Sequence, residues 1–310
     1  MIDKSFCCNG KAAFFFLPLQ HCGRKEQMNS FMSWVGGKKA LRDEVLKRFP
    51  PYYERYIEVF GGAGWVLFHK PPGMDFEVYN DFNSNLTNLY RCVRANPNKL
   101  KYKLRYILNS REDFDIVAML HKRGLFHRFK DFDRAAKFYQ LVRFSYASGL
   151  DSFGSQPHSL WSDFPMIDLA ARRLQKVVIE NKDFEKLIRQ YDRTVSFFYC
   201  DPPYFNTESY YKDVGFTRQD HLRLRDSLVA IKGKFLVSYN DCPEIREIWD
   251  QPGIRIEAIT RINNLAQRYE GGSVYPEVFI SNYDTKERQN MTRQLNLFDD
   301  FTEGGIYYEG

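Results

Sequence analysis

Two consecutive prolines, Pro202 and Pro203, follow the apolar run Val195-Ser196-Phe197-Phe198-Tyr199-Cys200 and the carboxylate of Asp201. The run is short, aromatic-rich and β-branched at its start, the pattern of a buried strand. Proline has no N–H to give to a ladder, fixes its own φ, and drives the preceding residue into extended backbone. The strand must therefore stop there, and the chain must leave it as a rigid, extended turn. Held at the strand's C-terminal edge are a carboxylate (Asp201), a carbonyl beside a residue without an N–H (Pro202), and an aromatic ring (Tyr204). Open α/β sheets bind ligands along that edge. An aminopurine or aminopyrimidine fits these groups, because Asp201 and the Pro202 carbonyl can accept from its exocyclic NH2 while Tyr204 covers its face. A plain strand exit would carry the same four residues, so the tetrapeptide alone does not choose a function.

Upstream, the strand Tyr56-Ile57-Glu58-Val59-Phe60 runs into Gly61-Gly62-Ala63-Gly64 and then a helix from Trp65 to His69. Glycines permit a tight turn and close approach of backbone to ligand. A second strand, Phe76-Glu77-Val78-Tyr79-Asn80, ends in Asp81, an acidic side chain placed to accept from a ribose diol. A nicotinamide dinucleotide would use the same geometry, but Phe60-Gly61-Gly62-Ala63-Gly64 is not G-x-G-x-x-G. Before both lies Trp34-Val35-Gly36-Gly37-Lys38, ahead of a helix from Leu41 to Phe49. It is not a phosphate-cradling loop, since G-x-x-x-x-G-K-[ST] is absent. Lys38 could meet a carboxylate there, and Trp34 could wall an apolar pocket.

A chain of 310 residues can bury one large core or a core with an inserted subdomain. The formal charge of +6 is a mild basic excess that suits a polyanionic partner. The six cysteines, Cys7, Cys8, Cys22, Cys92, Cys200 and Cys242, form no C-x-x-C pair and have no zinc spacing, so they read as free thiols of a cytoplasmic protein with no metal. No apolar run reaches the roughly 20 residues of a membrane helix.

Strand and helix alternate from Tyr53 to Arg94, which argues a parallel α/β core. From about Pro97 to Pro165 the pattern turns helical and basic, with Lys101, Lys103, Arg105, Lys122 and Arg123, a long helix from Asp131 to Tyr146, and a turn-rich stretch from Ala147 to Pro157. The core resumes with a strand at Lys176 to Glu180 and a helix at Phe184 to Tyr191. Asp183 between them would touch a nucleoside or cap that helix. The predicted organisation is an extension at 1–29, a cofactor-binding half at 30–96, an insertion at 97–165, a catalytic half at 166–284, and a tail at 285–310. The extension is expected to be dispensable, with Met28 and Met32 as alternative starts.

Taken in order and spacing, these elements resemble the Dam-type (alpha group) DNA adenine-N6 methyltransferases. In that family W-x-G-G-K opens the domain, F-x-G-x-G binds S-adenosylmethionine, an acidic residue ends the second strand, and D-P-P-Y is catalytic. Phe216-Thr217 with His221 resembles the family's F-T-x-x-x-H, and Phe235 to Asn240 and Glu277 to Asn282 resemble its later strands; the likeness spans roughly residues 31 to 284. The resemblance implies a Rossmann-like methyltransferase core, with a mixed, mostly parallel sheet and an inserted helical target-recognition subdomain. It implies catalysis by Asp201, Pro202 and Tyr204. The cofactor would be S-adenosylmethionine, held by Trp34, Lys38, Phe60, Gly61, Gly62, Gly64, Asp81, Asp183 and Asp201. The substrate would be double-stranded DNA, whose target adenine must be flipped out of the helix.

Between two late strands, Arg261, Asn263, Asn264 and Arg268 are residue types that read base edges and hold phosphates, and are assigned to DNA contact. The alternatives are cytosine-N4 methylation, where Ser usually replaces Asp201, RNA adenine methylation, where Asn is the commoner residue, and an inactive DNA-binding module. In the tail, Gln294, Leu295, Leu297 and Phe298 resemble the bacterial sliding-clamp-binding pentapeptide Q-L-x-L-F, so a clamp is an expected partner; docking of the tail on its own domain is the alternative.

Overall fold

A computed structural model of the chain describes residues 28–34, 38–205, 215–262, 274–288 and 290–291. Asn263, Asn264 and Arg268, and the tail residues Gln294, Leu295, Leu297 and Phe298, lie outside them, as does nearly all of the N-terminal extension.

The strands are β1 (Arg55–Glu58), β2 (Phe76–Asn80), β3 (Val177–Glu180), β4 (Ser196–Cys200), β5 (Lys234–Asn240), β6 (Arg255–Ile262) and β7 (Val274–Ser281). They form one seven-stranded sheet in the order β3-β2-β1-β4-β5-β7-β6. Neighbours from β3 to β5 pair in parallel, and β7 runs antiparallel to both β5 and β6. The mixed, mostly parallel sheet matches the expected fold class.

Helices cover both faces, so the central strands are apolar on both sides. On one face Tyr56, Tyr79, Phe197, Tyr199, Leu236 and Phe279 pack into a cluster shared with the helices Ser84–Ala95 and Asp131–Phe144. On the other, Ile57, Val78, Phe198, Cys200, Val237 and Tyr239 pack against the helices Phe184–Tyr191, Arg218–Val229 and Pro243–Trp249. Side chains alternate between the faces residue by residue, as the period of a strand requires.

The region between β2 and β3 is helical, as predicted, with helices Pro97–Leu104, Arg111–Lys122, Asp131–Phe144 and Phe164–Arg173. It does not carry a separate core. Phe138, Tyr139 and Leu141 are buried in the same cluster as Phe31, Phe68 and Tyr90. Two of its lysines are already paired with acids: Lys101 with Asp168 at 2.6 Å and Lys103 with Asp133 at 2.8 Å. Arg105 instead lies over the exposed ring of Trp161.

At the start of the chain's described part, Phe31 is buried and stacks on Tyr139, and Ser30 donates to the Ala63 carbonyl. A chain beginning at Met32 would lose both contacts. Among the described residues no helix is long and apolar enough to cross a membrane.

Candidate active site

The sequence-selected residues gather at the C-terminal ends of β1, β2 and β4. Three groups of contacts build the site.

The first is the glycine turn after β1. Gly62 and Gly64 have φ of +50° and +63°, a region where a Cβ is strained. Gly61 has a different reason, since a Cβ there would overlap the Tyr79 ring. The Gly62 carbonyl accepts from Tyr79 Oη at 2.6 Å and Tyr90 Oη at 3.2 Å, and these rings stack with centroids 4.2 Å apart. Trp34 packs over Gly62 from the other side and against Phe138. The Gly62 N–H donates to Asp81 Oδ2 at 2.9 Å, and Asn83 N–H to Oδ1 at 2.8 Å. The acid at the end of β2 is therefore joined directly to the turn after β1. Burial pushes the Asp81 carboxyl up to about 6, against the two backbone N–H bonds that lower it.

The second is a cavity of about 150 Å³ lined by Phe60, Phe82, Asp183, Phe184, Phe216 and Arg223, among others. Asn80 and Phe82, on either side of Asp81, both line it, so it adjoins the glycine turn. Asp183 caps the Phe184–Tyr191 helix by accepting from Glu185 N–H at 3.1 Å, and Arg223 Nη2 also donates to it. It thus serves as the helix cap while lining the cavity. Thr217 and Asp220 form a reciprocal capping box at the start of the Arg218–Val229 helix, which holds Phe216 and Arg223 at the cavity wall.

The third is the turn after β4, Asp201 to Tyr204. Lys38 is buried; its Nζ lies 2.8 Å from Asp201 Oδ1 and donates to Tyr204 Oη. Tyr204 Oη donates to Glu277 Oε2 at 3.1 Å, and Ser238 Oγ donates to Asp201 Oδ1 at 2.9 Å. Pro202 and Pro203 are buried, and the next peptide is clamped by Asn240, whose side chain accepts from Phe205 N–H and donates to the Phe205 carbonyl. Burial, and then the Asp201 charge, push the Cys200 thiol well up, so this cysteine beside the turn is inert rather than nucleophilic.

The sequence reading singled out none of Glu58, Ser238, Glu277 and Asn240. Glu58, at the end of β1, is buried; burial pushes its carboxyl up to about 8, against donation from Tyr56 Oη and the Leu67 N–H. The signal for three of them was available: Glu58, Ser238 and Glu277 interrupt apolar runs of the sequence and are buried. Buried polar groups need partners, so such positions point to a site. Arg261, by contrast, pairs with Tyr275 at the far end of β6, beyond the level of Glu277. β6 runs in the direction of β4, so it ends at the sheet edge that carries Asp201.

The sheet order and this arrangement define the class, a Rossmann-like α/β methyltransferase. Residues 34–265 match the D12 class of N6 adenine-specific DNA methyltransferases, and the chain belongs to that family. It is 28% identical to the type II methyltransferase M1.LlaDCHI of Lactococcus lactis subsp. cremoris, over 84% of this chain and 97% of the relative. It is 30% identical to a DNA adenine methylase of Salmonella typhimurium, over 72% of this chain and 84% of that one. With the DNA adenine methylase of Escherichia coli K12 it shares 27% identity over 80% and 97% of the two chains. The protein is thus an enzyme that methylates adenine N6 in DNA; the cytosine-N4 and non-enzymatic alternatives are not favoured.

Proposed function

We propose that the methyl donor is S-adenosylmethionine, bound across the glycine turn and the aromatic cavity, and that Asp201, Pro202 and Tyr204 hold the target adenine. The observation that carries this reading is the direct junction of the two halves through Lys38, bonded to Asp201 and Tyr204, beside a cofactor half in which Gly62 is bonded to Asp81. The donor fits the residues present. Beside the glycine turn Asp81 offers a carboxylate to a ribose diol, and Phe60, Phe184 and Phe216 wall a cavity suited to a purine. Bound there, the donor supplies an already activated methyl group on a sulfonium.

The chain's own task is alignment. A flipped adenine stacks on Tyr204, which recovers part of the few kcal/mol that flipping costs. Asp201 and the Pro202 carbonyl accept the two N6 protons. That draws the nitrogen lone pair out of conjugation with the ring and aims it at the methyl group. A carboxylate has about four acceptor positions, so Asp201 can accept from an amine while Oδ1 holds Lys38 and Ser238.

DNA contact is assigned to the 97–165 region and, by residue type, to Arg261, Asn263, Asn264 and Arg268. Supporting this are the exposed Tyr102, Tyr106, Tyr146 and Trp161 of that region, with Arg105 stacked on Trp161. Incubation with methyl-labelled S-adenosylmethionine and duplex DNA, followed by nucleoside analysis, tests the reading. Label in N6-methyldeoxyadenosine is expected; label in cytosine, label only with RNA, or no transfer overturns it.

Donor binding should also depend on pH through Asp81. Its carboxyl lies at about 6, so it is ionised and accepts from both ribose hydroxyls above that pH, and loses acceptor capacity as pH falls through it. Calorimetric titration between pH 5 and 8 should show affinity falling below about 6, and Asp81→Asn should bind more weakly with little pH dependence. An unchanged slope in that variant would remove Asp81 from the ribose site.

A further inference from the structure

We propose that Ser238, backed by the hydroxyl of Tyr199, is a positioning residue that sets the orientation of the Asp201 carboxylate; the inference rests on the role given to Asp201 above. β4 and β5 pair with Cys200 opposite Val237, which brings Asp201 level with Ser238 on the face that also carries Tyr199. Ser238 is fully buried in a strand whose neighbours Phe235, Leu236, Val237 and Tyr239 are buried too. A hydroxyl in such a place must find partners. Its Oγ lies 2.9 Å from Asp201 Oδ1, 3.2 Å from Tyr199 Oη and 3.5 Å from the Cys200 carbonyl, so the carboxylate is the nearest acceptor.

The direction of this chain follows from chemistry. An ionised carboxylate only accepts, so the single Ser238 proton points at Oδ1, and Tyr199 must donate to Ser238. Burial, and then the charge of Asp201, raise the Tyr199 phenol well above its ordinary range, which keeps that proton in place. Each bond polarises the next and strengthens the last one, to the carboxylate. Lys38 Nζ meets the same oxygen at 2.8 Å. Two donors on Oδ1, one from the segment before the core and one from a rigid strand, fix the rotation of the carboxyl group about its bond to Cβ. They thereby fix where Oδ2 is presented to an amine. A carboxylate free to rotate would still bind DNA and donor but would misdirect the N6 lone pair, and such losses fall on the chemical step.

The experiment is single-turnover methylation at saturating DNA and donor, with both dissociation constants and thermal unfolding, for wild type, Ser238→Ala, Tyr199→Phe, the double variant and Ser238→Thr. Ser238→Ala should slow the rate about tenfold or more, the scale of a hydrogen bond to a charged group, with both dissociation constants within about twofold. Tyr199→Phe should slow the rate about threefold, and the double variant should match Ser238→Ala, since the Tyr199 hydroxyl acts only through Ser238. Ser238→Thr, which keeps the donor, should recover most of the rate.

A folded Ser238→Ala with wild-type rate overturns the proposal, as do multiplicative effects in the double variant. Should Ser238→Ala fail to fold, Tyr199→Phe decides by itself: slowing supports the proposal and a wild-type rate overturns it. A wild type that methylates no adenine overturns the proposed function and this inference together, whereas an active wild type with an unaffected Ser238→Ala overturns this inference alone.

Discussion

Asp201→Ala should lower kcat by about 10²–10³, or roughly 2.7–4 kcal/mol, the range seen when one preorganised polar contact to a reacting centre is removed. The loss should appear in methyl transfer and not in duplex affinity, because the proposed phosphate contacts are assigned to other residues and such contacts supply most of the binding energy. Asp201 joins Lys38 and Ser238 through one oxygen, so its removal has a second consequence. The buried Lys38 ammonium keeps Tyr204 Oη as a partner but loses its counter-charge. Leaving a buried charge uncompensated is strongly destabilising, so Asp201→Ala should also unfold at lower temperature. Asp201→Asn separates the two effects. It retains one acceptor oxygen and most of the shape, and should stay inactive if the carboxylate's charge is needed to polarise the amine. Retention of more than about a tenth of wild-type kcat by a folded Asp201→Ala, an effect under about 1.4 kcal/mol, would take Asp201 out of the reaction.

The sequence made the framework legible because its punctuation is strong. Pro202 and Pro203 could only end a strand, Gly61 to Gly64 could only be a tight turn, and Asp81 followed a strand buried from its second residue on. Those constraints act locally and survive folding. The connections among the site residues were not legible, because they are made across the sheet. Nothing in the order of the chain says that Ser238 stands level with Asp201, or that Glu277, 73 residues beyond Tyr204, accepts from its hydroxyl. Asp183 shows the same limit from the other side. Its place before an apolar helix predicted a cap, its place after a strand predicted a ligand contact, and the fold makes it a cap on a cavity wall. Lys101 and Lys103 look like phosphate contacts in a charge count, yet each is spent on an acid brought near by packing, Asp168 and Asp133.

Tyr204 carries the second large effect, and its two substitutions should part company. Tyr204→Ala removes the ring proposed to stack on the flipped adenine, a contact worth roughly 1–3 kcal/mol per base. The variant should lose about 10–100-fold in kcat/KM, and more with a normally paired adenine than with one already mispaired, whose flipping costs less. Tyr204→Phe keeps the ring and removes only the hydroxyl. That hydroxyl accepts from Lys38 and donates to Glu277, and both of these partners are buried. Its loss withdraws a donor from a buried carboxylate and an acceptor from a buried ammonium, a cost of about 1–3 kcal/mol that falls on the folded state. Tyr204→Phe should therefore show a lowered Tm with kcat/KM within about tenfold of wild type, while Tyr204→Ala should show the larger loss of activity. Parallel melting curves and methylation assays on paired and mispaired duplexes check the division. Equal losses of activity in the two variants would mean that the hydroxyl network, and not the ring, holds the target base.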